Sequence, residues 1–221
     1  MEPLRSYLGT FRPSLKNGEL VRGFTLVELL VVLAIIVTIT TIALTSQSAF
    51  NKTLIVANTA YDIGLTLRSA ETYGLGSRAV GAIVNAGYGL HFQSGSPGSF
   101  ILFADTYPAA SCGSPDCKSG DNIYSSGSDS RVQTYALGNG IVISDFCAYP
   151  SFGNPSCMVA HGGGLPWLDI VFARPNPDAS IIANGFSYAT ACVTVSSPQG
   201  GSRGVSVTTS GQIIANLAQC P

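Results

Sequence analysis

The sequence is poor in charged residues, and this shortage excludes several classes of protein. Lys, Arg, Asp and Glu make up 10% of the 221 residues, whereas roughly 25% is usual for a soluble domain. A coiled coil or a charged disordered chain needs far more charge. The formal net charge of −1 also argues against a protein that binds a polyanion through its overall field. His is scarce as well, with 2 residues beside 6 Cys, so metal and redox chemistry have few candidate ligands.

The charged residues that are present lie unevenly along the chain. Residues 1–23 contain four basic and two acidic residues, a net of +2. Between Arg22 and Lys52 the only charged residue is Glu28, and the run Leu29–Leu44 has no charge, Gly or Pro. With the apolar residues just before it, this run is about as long as the ~20 helical residues that cross a bilayer. The sequence therefore predicts a membrane-spanning helix.

Glu28 distinguishes this segment from an ordinary signal peptide or membrane anchor. A secretory signal has an apolar region of roughly 7–15 residues before a small-residue cleavage site, and the run here is longer and lacks such a site. A carboxylate costs on the order of 2.5–3.5 kcal/mol at the centre of a membrane span, and less near its end. Such a residue indicates a function and needs a partner.

The residues around Glu28 resemble a known processing site. The segment Arg22–Leu30 (RGFTLVELL) is similar to the cleavage and methylation site of type IV prepilins and type II secretion pseudopilins. The resemblance implies that a prepilin peptidase and N-methyltransferase cuts after Gly23 and methylates the new N-terminal residue, Phe24. It also implies that Glu28 meets the terminal amine of a neighbouring subunit, because an anion and a cation that are each costly in lipid are tolerated as a pair.

The distribution of basic residues predicts the orientation and the segments of the chain. Arg5, Arg12, Lys16 and Arg22 precede the span, and only Lys52 follows it closely, so the N-terminus is expected in the cytoplasm and the head outside the cytoplasmic (inner) membrane. We expect four segments: a removed leader at 1–23, a transmembrane and fibre-core helix at 24–50, its amphipathic continuation at 51–76, and an exported head at 77–221.

The six cysteines all lie in the predicted exported part, where an oxidising compartment permits disulfides. Six cysteines allow fifteen pairings, and the sequence alone does not choose among them. Local closure favours the pairs Cys112–Cys117, Cys147–Cys157 and Cys192–Cys220. A metal cluster would need Cys-x-x-Cys spacing with His nearby, and the sequence has neither feature, so we expect no metal and no cofactor.

Apolar periodicity predicts an α+β fold. Val56, Ala60, Ile63, Leu67 and Ala70 form an amphipathic stripe, so one long helix is expected over about 24–73, transmembrane in its first half and packed against an antiparallel β-rich globular head. Gly74 and Gly76 end the pattern. A polar Gly/Ser-rich stretch at about 108–131 is expected to be a long surface loop. The predicted strands are Val80–Asn85, Tyr88–Gln93, Phe100–Asp105, Val132–Leu137, Ile141–Asp145, Leu168–Ala173, Ser180–Ala183, Ala189–Val195, Gly204–Thr208 and Gln212–Ala215.

Several short motifs are compatible with other functions but lack the necessary context. The sequence His161–Gly164 matches an oxyanion-hole motif and Gly200–Gly204 matches G-x-S-x-G, yet no His follows that Ser as the hydrolase triad requires. We therefore expect that this protein is not an enzyme. His91 alternates with apolar residues and is expected to be an ordinary sheet histidine. Calcium could bind the loop carboxylates Asp116, Asp121 and Asp129, but their spacing is not that of an EF-hand.

The expected function is that of a structural subunit of a type IV pilus or type II secretion pseudopilus. The head pattern, including Arg203–Val207 and Gly211–Ile213, resembles H-type minor pseudopilins. The implied partners are other pilin or pseudopilin subunits, the prepilin peptidase, an inner-membrane assembly platform and membrane lipid. Nucleic acid is a less favoured partner, because from residue 51 onward seven basic residues face nine acidic ones.

The alternative is a single-pass anchored β domain that binds a ligand or surface, including DNA during uptake, without polymerising. Aromatic residues in predicted loops could supply its contact patch; they are Tyr107, Tyr149, Phe152 and Trp167.

Overall fold

The computed structural model describes residues 23–76, 78–80, 83, 85–108 and 120–221. Its one long helix, α1, spans Leu26–Leu75, within two residues of the predicted bounds. The helix ends where the Gly76 N–H donates to the Thr72 carbonyl at 2.9 Å. The described chain divides into two compact units, one that ends at Ser46 and one that spans Gln47–Pro221.

The second half of α1 packs into the head through the predicted stripe. Val56, Ala60, Ile63, Leu67 and Ala70 are each at most 1% exposed and belong to one apolar core shared with the strands. The spacing of three and four residues keeps these side chains on one face of the helix. This part of the sequence prediction is confirmed.

The strands of the described residues form two antiparallel sheets. A six-stranded sheet has the order β3-β2-β1-β6-β7-β8, and a five-stranded sheet has the order β11-β10-β9-β4-β5. The strands are β1 (Gly87–Gln93), β2 (Ser99–Asp105), β3 (Ser130–Ala136), β4 (Val142–Tyr149), β5 (Ser156–Cys157), β6 (Trp167–Phe172), β7 (Ala179–Ala183), β8 (Phe186–Ser187), β9 (Thr190–Ser196), β10 (Ser202–Thr208) and β11 (Ile213–Leu217). The fold is therefore α+β, as the sequence predicts.

Three details of the strand prediction are corrected. Val80 and Ile83 form an isolated bridge instead of a strand over Val80–Asn85, and residues 81, 82 and 84 lie outside the described residues. The two-residue strands β5 and β8 were not predicted, because two residues show no alternation. Ser130 and Arg131 begin β3 and so do not belong to the predicted loop.

Two of the predicted disulfides are present, and both lie in the five-stranded sheet. Cys147 on β4 and Cys157 on β5 face each other across the ladder and are bonded. Cys192 on β9 is bonded to Cys220 beyond β11. Both local pairings are confirmed. The third predicted pair, Cys112–Cys117, lies outside the described residues.

Candidate functional site

The candidate processing site is an exposed, non-helical segment directly before α1. Gly23, Phe24 and Thr25 precede the helix, and the Phe24 side chain is 77% exposed. The peptide bond between Gly23 and Phe24 therefore lies outside the helical hydrogen-bond ladder. The leader residues before Gly23 lie outside the described residues.

Thr25 caps the helix, a role that the sequence analysis missed. Its Oγ1 accepts a hydrogen bond from the Glu28 N–H at 3.2 Å, and its carbonyl accepts one from the Leu29 N–H at 3.1 Å. The pattern Thr-x-x-Glu before an apolar run is the sequence signature of a capping box and could have identified this cap. Glu28 lies in the first turn, where the positive end of the helix dipole favours a carboxylate.

The helix beyond the cap is apolar and bare. Leu26–Leu44 is the one helix segment of the described residues that is long and apolar enough to cross a membrane, and none of it is buried in the protein. Its hydroxyl groups bond within the helix: Thr38 and Thr41 donate to the Ile35 and Val37 carbonyls at 2.8 Å. Intrahelical bonds of this kind satisfy the hydrogen bonds of polar groups in lipid. Glu28 is the one charged side chain of the segment.

A second apolar face of α1 lies opposite the stripe that packs into the head. Leu54, Tyr61 and Leu65 are 43%, 54% and 66% exposed, and their spacing places them on one side of the helix. Tyr61 and Leu65 line a groove of about 410 Å³ that Ile213 and Ala215 of β11 complete. The second half of the helix therefore exposes large apolar side chains on the side away from its core stripe, beside the charged Asp62 and Arg68 that also line this groove.

His91 is a satisfied sheet histidine, as the sequence analysis expected. It lies on β1 and is 8% exposed, and its Nδ1 is 2.6 Å from Oδ1 of the fully buried Asp169. The Tyr124 ring packs on the His91 ring with 4.7 Å between centroids. Burial raises the pKa of Asp169, while the hydrogen bond to His91 acts in the opposite direction.

Two of the carboxylates considered for calcium hold backbone in place. Asp129 accepts hydrogen bonds from the Thr106 and Tyr107 N–H groups at 2.9 Å, and Asp121 accepts one from the Ile123 N–H at 3.0 Å. Asp116 lies outside the described residues. Within the described residues, the one group with metal-ligand spacing is Asp145, Cys147 and Cys157, and its two cysteines are consumed by their disulfide.

The hydrolase-like motifs lie in turns and a strand. His161 and the three glycines after it all have positive φ and form an exposed turn. Ser202 begins β10, whereas the nucleophile of a G-x-S-x-G motif sits between a strand and a helix. The aromatic residues considered for the alternative function differ in their surroundings. Tyr107 and Phe152 are 53% and 95% exposed, whereas the Tyr149 hydroxyl donates a hydrogen bond to the Pro221 carbonyl at 2.8 Å.

Comparison with known proteins agrees with the site. A family model described as the prokaryotic N-terminal methylation motif matches residues 20–44. No curated protein sequence matches the chain. A similar solved structure is the minor pseudopilin EPSH from the type II secretion system of Vibrio cholerae, with 10% identity, a TM-score of 0.41, and coverage of 76% of this chain and 98% of that one. The segment that contains Gly23, Phe24 and Glu28 is thus a prokaryotic N-terminal methylation motif, as the resemblance to type IV prepilins and pseudopilins implied.

Proposed function

We propose that this chain is the precursor of a structural subunit of a type IV pilus or type II secretion pseudopilus, and that it is not an enzyme. The observation that carries the proposal is the methylation motif at residues 20–44, which coincides with a bare apolar helix. A minor pseudopilin of the H type is the subunit that the head pattern favours.

The first step is removal of the leader, residues 1–23. The peptidase cuts between Gly23 and Phe24 on the cytoplasmic side and methylates the Phe24 amine. Because the capping residue Thr25 follows the cut, its hydrogen bond to the Glu28 N–H remains in the mature chain. Processing therefore changes the charge near the helix start and leaves the helix itself intact.

The second step is transfer of the apolar helix from lipid into a fibre. Helices that pack side by side bury the exposed surface of Leu26–Leu44, and head-to-tail contacts that do not close generate a filament. The second apolar face, formed by Leu54, Tyr61 and Leu65, extends such contacts into the head region. The energy comes from a partner ATPase, since this chain has no phosphate-binding loop, and the inner-membrane assembly platform is a further partner.

Glu28 sets the register of the helix in the fibre. A lone carboxylate in an apolar core is costly, and a cationic amine from a neighbouring subunit neutralises it. The methylated Phe24 amine of that neighbour is the group of suitable charge. The basic residues before the span orient the chain so that the N-terminus begins in the cytoplasm and the head lies outside.

Mass spectrometry of the mature N-terminus tests the processing step. In cells with an active prepilin peptidase we expect a chain that begins with N-methylated Phe24. A Gly23→Ser variant should accumulate as uncut precursor, whereas the control Gly95→Ser, at an exposed turn with open space around it, should be cut normally. An intact Met1 in the native chain would refute the proposal and favour the single-pass anchored domain.

A further inference from the structure

Loop 120–129 closes over a second buried face of the six-stranded sheet. Along β1, β2 and β6 the side chains alternate between the main core and the opposite face, and that opposite face carries His91, Phe103 and Asp169. Each of these residues is at most 8% exposed. Tyr124 from the loop covers them, with its ring centroid 4.7 Å from His91 and 5.0 Å from Phe103.

Three buried aspartates hold this loop by its backbone. The Asn122 N–H donates to Asp105 Oδ2 at 2.6 Å, the Tyr124 N–H donates to Asp169 Oδ2 at 3.0 Å, and the Ser125 N–H donates to Asp129 Oδ2 at 2.6 Å. The three carboxylates come from the end of β2, the middle of β6 and the residue before β3. We call this arrangement of loop 120–129 and its three aspartates the carboxylate latch.

Asp105 is the weak member of the latch. It is 1% exposed, and among the described residues its Oδ1 has no partner in hydrogen-bond geometry. The charged groups that act on it come from the loop, as the carboxylates of Asp129 and Asp121, and its partner across β1 is Gly87, which brings no charge. A buried carboxylate with one free oxygen and two acidic neighbours is far better accommodated neutral than ionised.

We propose that Asp105 makes the latch proton-controlled, so that loop 120–129 stays closed while this carboxyl is neutral and opens more readily once it ionises. Opening hydrates the Asp105 carboxylate and uncovers the sheet face of His91 and Phe103. The proposal does not depend on processing or assembly at the N-terminus.

The direction of the pH dependence follows from the two states of the loop. Burial, with the carboxylates of Asp129 and Asp121, raises the pKa of Asp105 from 3.8 to about 7 against the opposing backbone hydrogen bonds of Asn122 and Asp121. In the open loop the pKa returns toward its ordinary value. The closed state is therefore favoured in full below about pH 4, and this preference is lost as the pH rises to about 7. Burial raises the pKa of Asp169 as well, which acts in the same direction.

Amide hydrogen exchange of the full chain in detergent micelles measures the opening. After correction for intrinsic exchange, we expect the opening equilibrium of peptides that contain Asn122 and Tyr124 to rise between about pH 5 and about pH 7 by tenfold or more per unit, and then to level off. The Asp105→Asn variant should lower that slope by about tenfold per unit. The control Asp62→Asn, at an exposed position of α1, should behave like the wild type, and β10 should not respond in any of these proteins.

A second variant keeps the test decisive if Asp105→Asn does not fold. Asp121→Asn removes a neighbouring negative charge while its Oδ1 can still accept from the Ile123 N–H, so the levelling should move to lower pH. A loop whose opening is flat with pH in the wild type, or a slope that Asp105→Asn leaves unchanged, would overturn the proposal.

Discussion

At the scale of single residues, Glu28 has two separate reasons to lie where it does. Its backbone N–H completes the cap formed by Thr25, and its side chain is the one charge of an apolar segment. The local contrast in charge made Glu28 identifiable from the sequence. The Thr25-x-x-Glu28 pattern also predicts the cap, whereas the amine that we propose as the partner of Glu28 belongs to another chain and leaves no pattern in this one.

Separating these two roles of Glu28 is a direct test of charge pairing. Glu28→Gln keeps the shape and the backbone cap but removes the charge, so we expect normal cleavage after Gly23 and strongly reduced incorporation into fibres. A broken buried ion pair costs roughly 3–5 kcal/mol. Thr25→Ala is the matched control, because it removes the cap, worth about 1 kcal/mol, and retains the charge. Equal losses of incorporation in sheared-fibre assays would contradict the pairing role.

Gly120 is a residue whose missing side chain shapes the latch. A Cβ at this position would lie 2.2 Å from the Asp105 carboxyl carbon. In Gly120→Ala this clash should lower the free energy of unfolding by about 1–3 kcal/mol, in addition to the cost of placing an Ala at a positive φ. Gly127→Ala is the control for that strain, since its φ of 86° resembles the 98° of Gly120 and its surroundings are open. Denaturant unfolding of both variants gives the comparison, and equal losses would refute the steric role.

At the scale of elements, the sequence predicted what local periodicity encodes. The apolar stripe from Val56 to Ala70 predicted the second half of α1. The alternation of apolar and polar residues predicted the strands from Tyr88–Gln93 onward to within a few residues of their bounds. The pairing of β1 with β6 and of β4 with β9 joins distant segments, so no local pattern carries it. The predicted surface loop is in its described part a cover over a sheet, because buried Asp129 and Asp169 bind its backbone, a contact that composition alone does not reveal.

The contact between α1 and β11 predicts a coupled pair of substitutions. A Cβ on Gly64 would lie 2.9 Å from the Ala215 Cβ, so Gly64→Ala should push the helix from the strand despite the better helix propensity of Ala. Ala215→Gly should relieve that clash, with a favourable coupling energy on the order of 1 kcal/mol in a double-mutant cycle of unfolding. Additive effects would argue against the contact.

Gly74 supplies the comparison for this pair. Its added Cβ would lie 2.1 Å from the Phe172 carbonyl oxygen, and backbone in the middle of a sheet has little freedom to move. We therefore expect Gly74→Ala to destabilise the protein more than Gly64→Ala, with no side chain whose truncation restores it.

At the scale of the whole molecule, the apolar residues divide into two populations. Among the described residues, the buried core lies at or after Val56, while the large apolar residues from Phe24 to Leu44 are all exposed. The first population is satisfied within the chain, and the second needs lipid or other subunits. The overall hydrophobic fraction of 46% is an average over both populations, so it does not distinguish the buried core from the exposed membrane segment.

This division predicts the behaviour of a shortened chain. A variant that begins at Gln47 retains all of the core residues that the structure describes as buried, so we expect it to stay in the supernatant on ultracentrifugation without detergent and to unfold cooperatively. The full chain should pellet with membranes and require detergent for extraction. A shortened chain that aggregates, or one that lacks a cooperative melting transition, would show that residues before Gln47 complete the core.

The two described disulfides lie in the five-stranded sheet, and the buried ionisable groups of the described residues lie at the six-stranded sheet. Through these two disulfides a thiol reductant acts on the five-stranded sheet, whereas a change in acidity acts on the buried groups at the six-stranded sheet. A polypeptide that leaves the cytosol meets both a new redox potential and a new proton concentration. The two described disulfides respond to the first change, and the buried ionisable groups respond to the second. Each condition can therefore be varied experimentally while the other sheet serves as the internal reference.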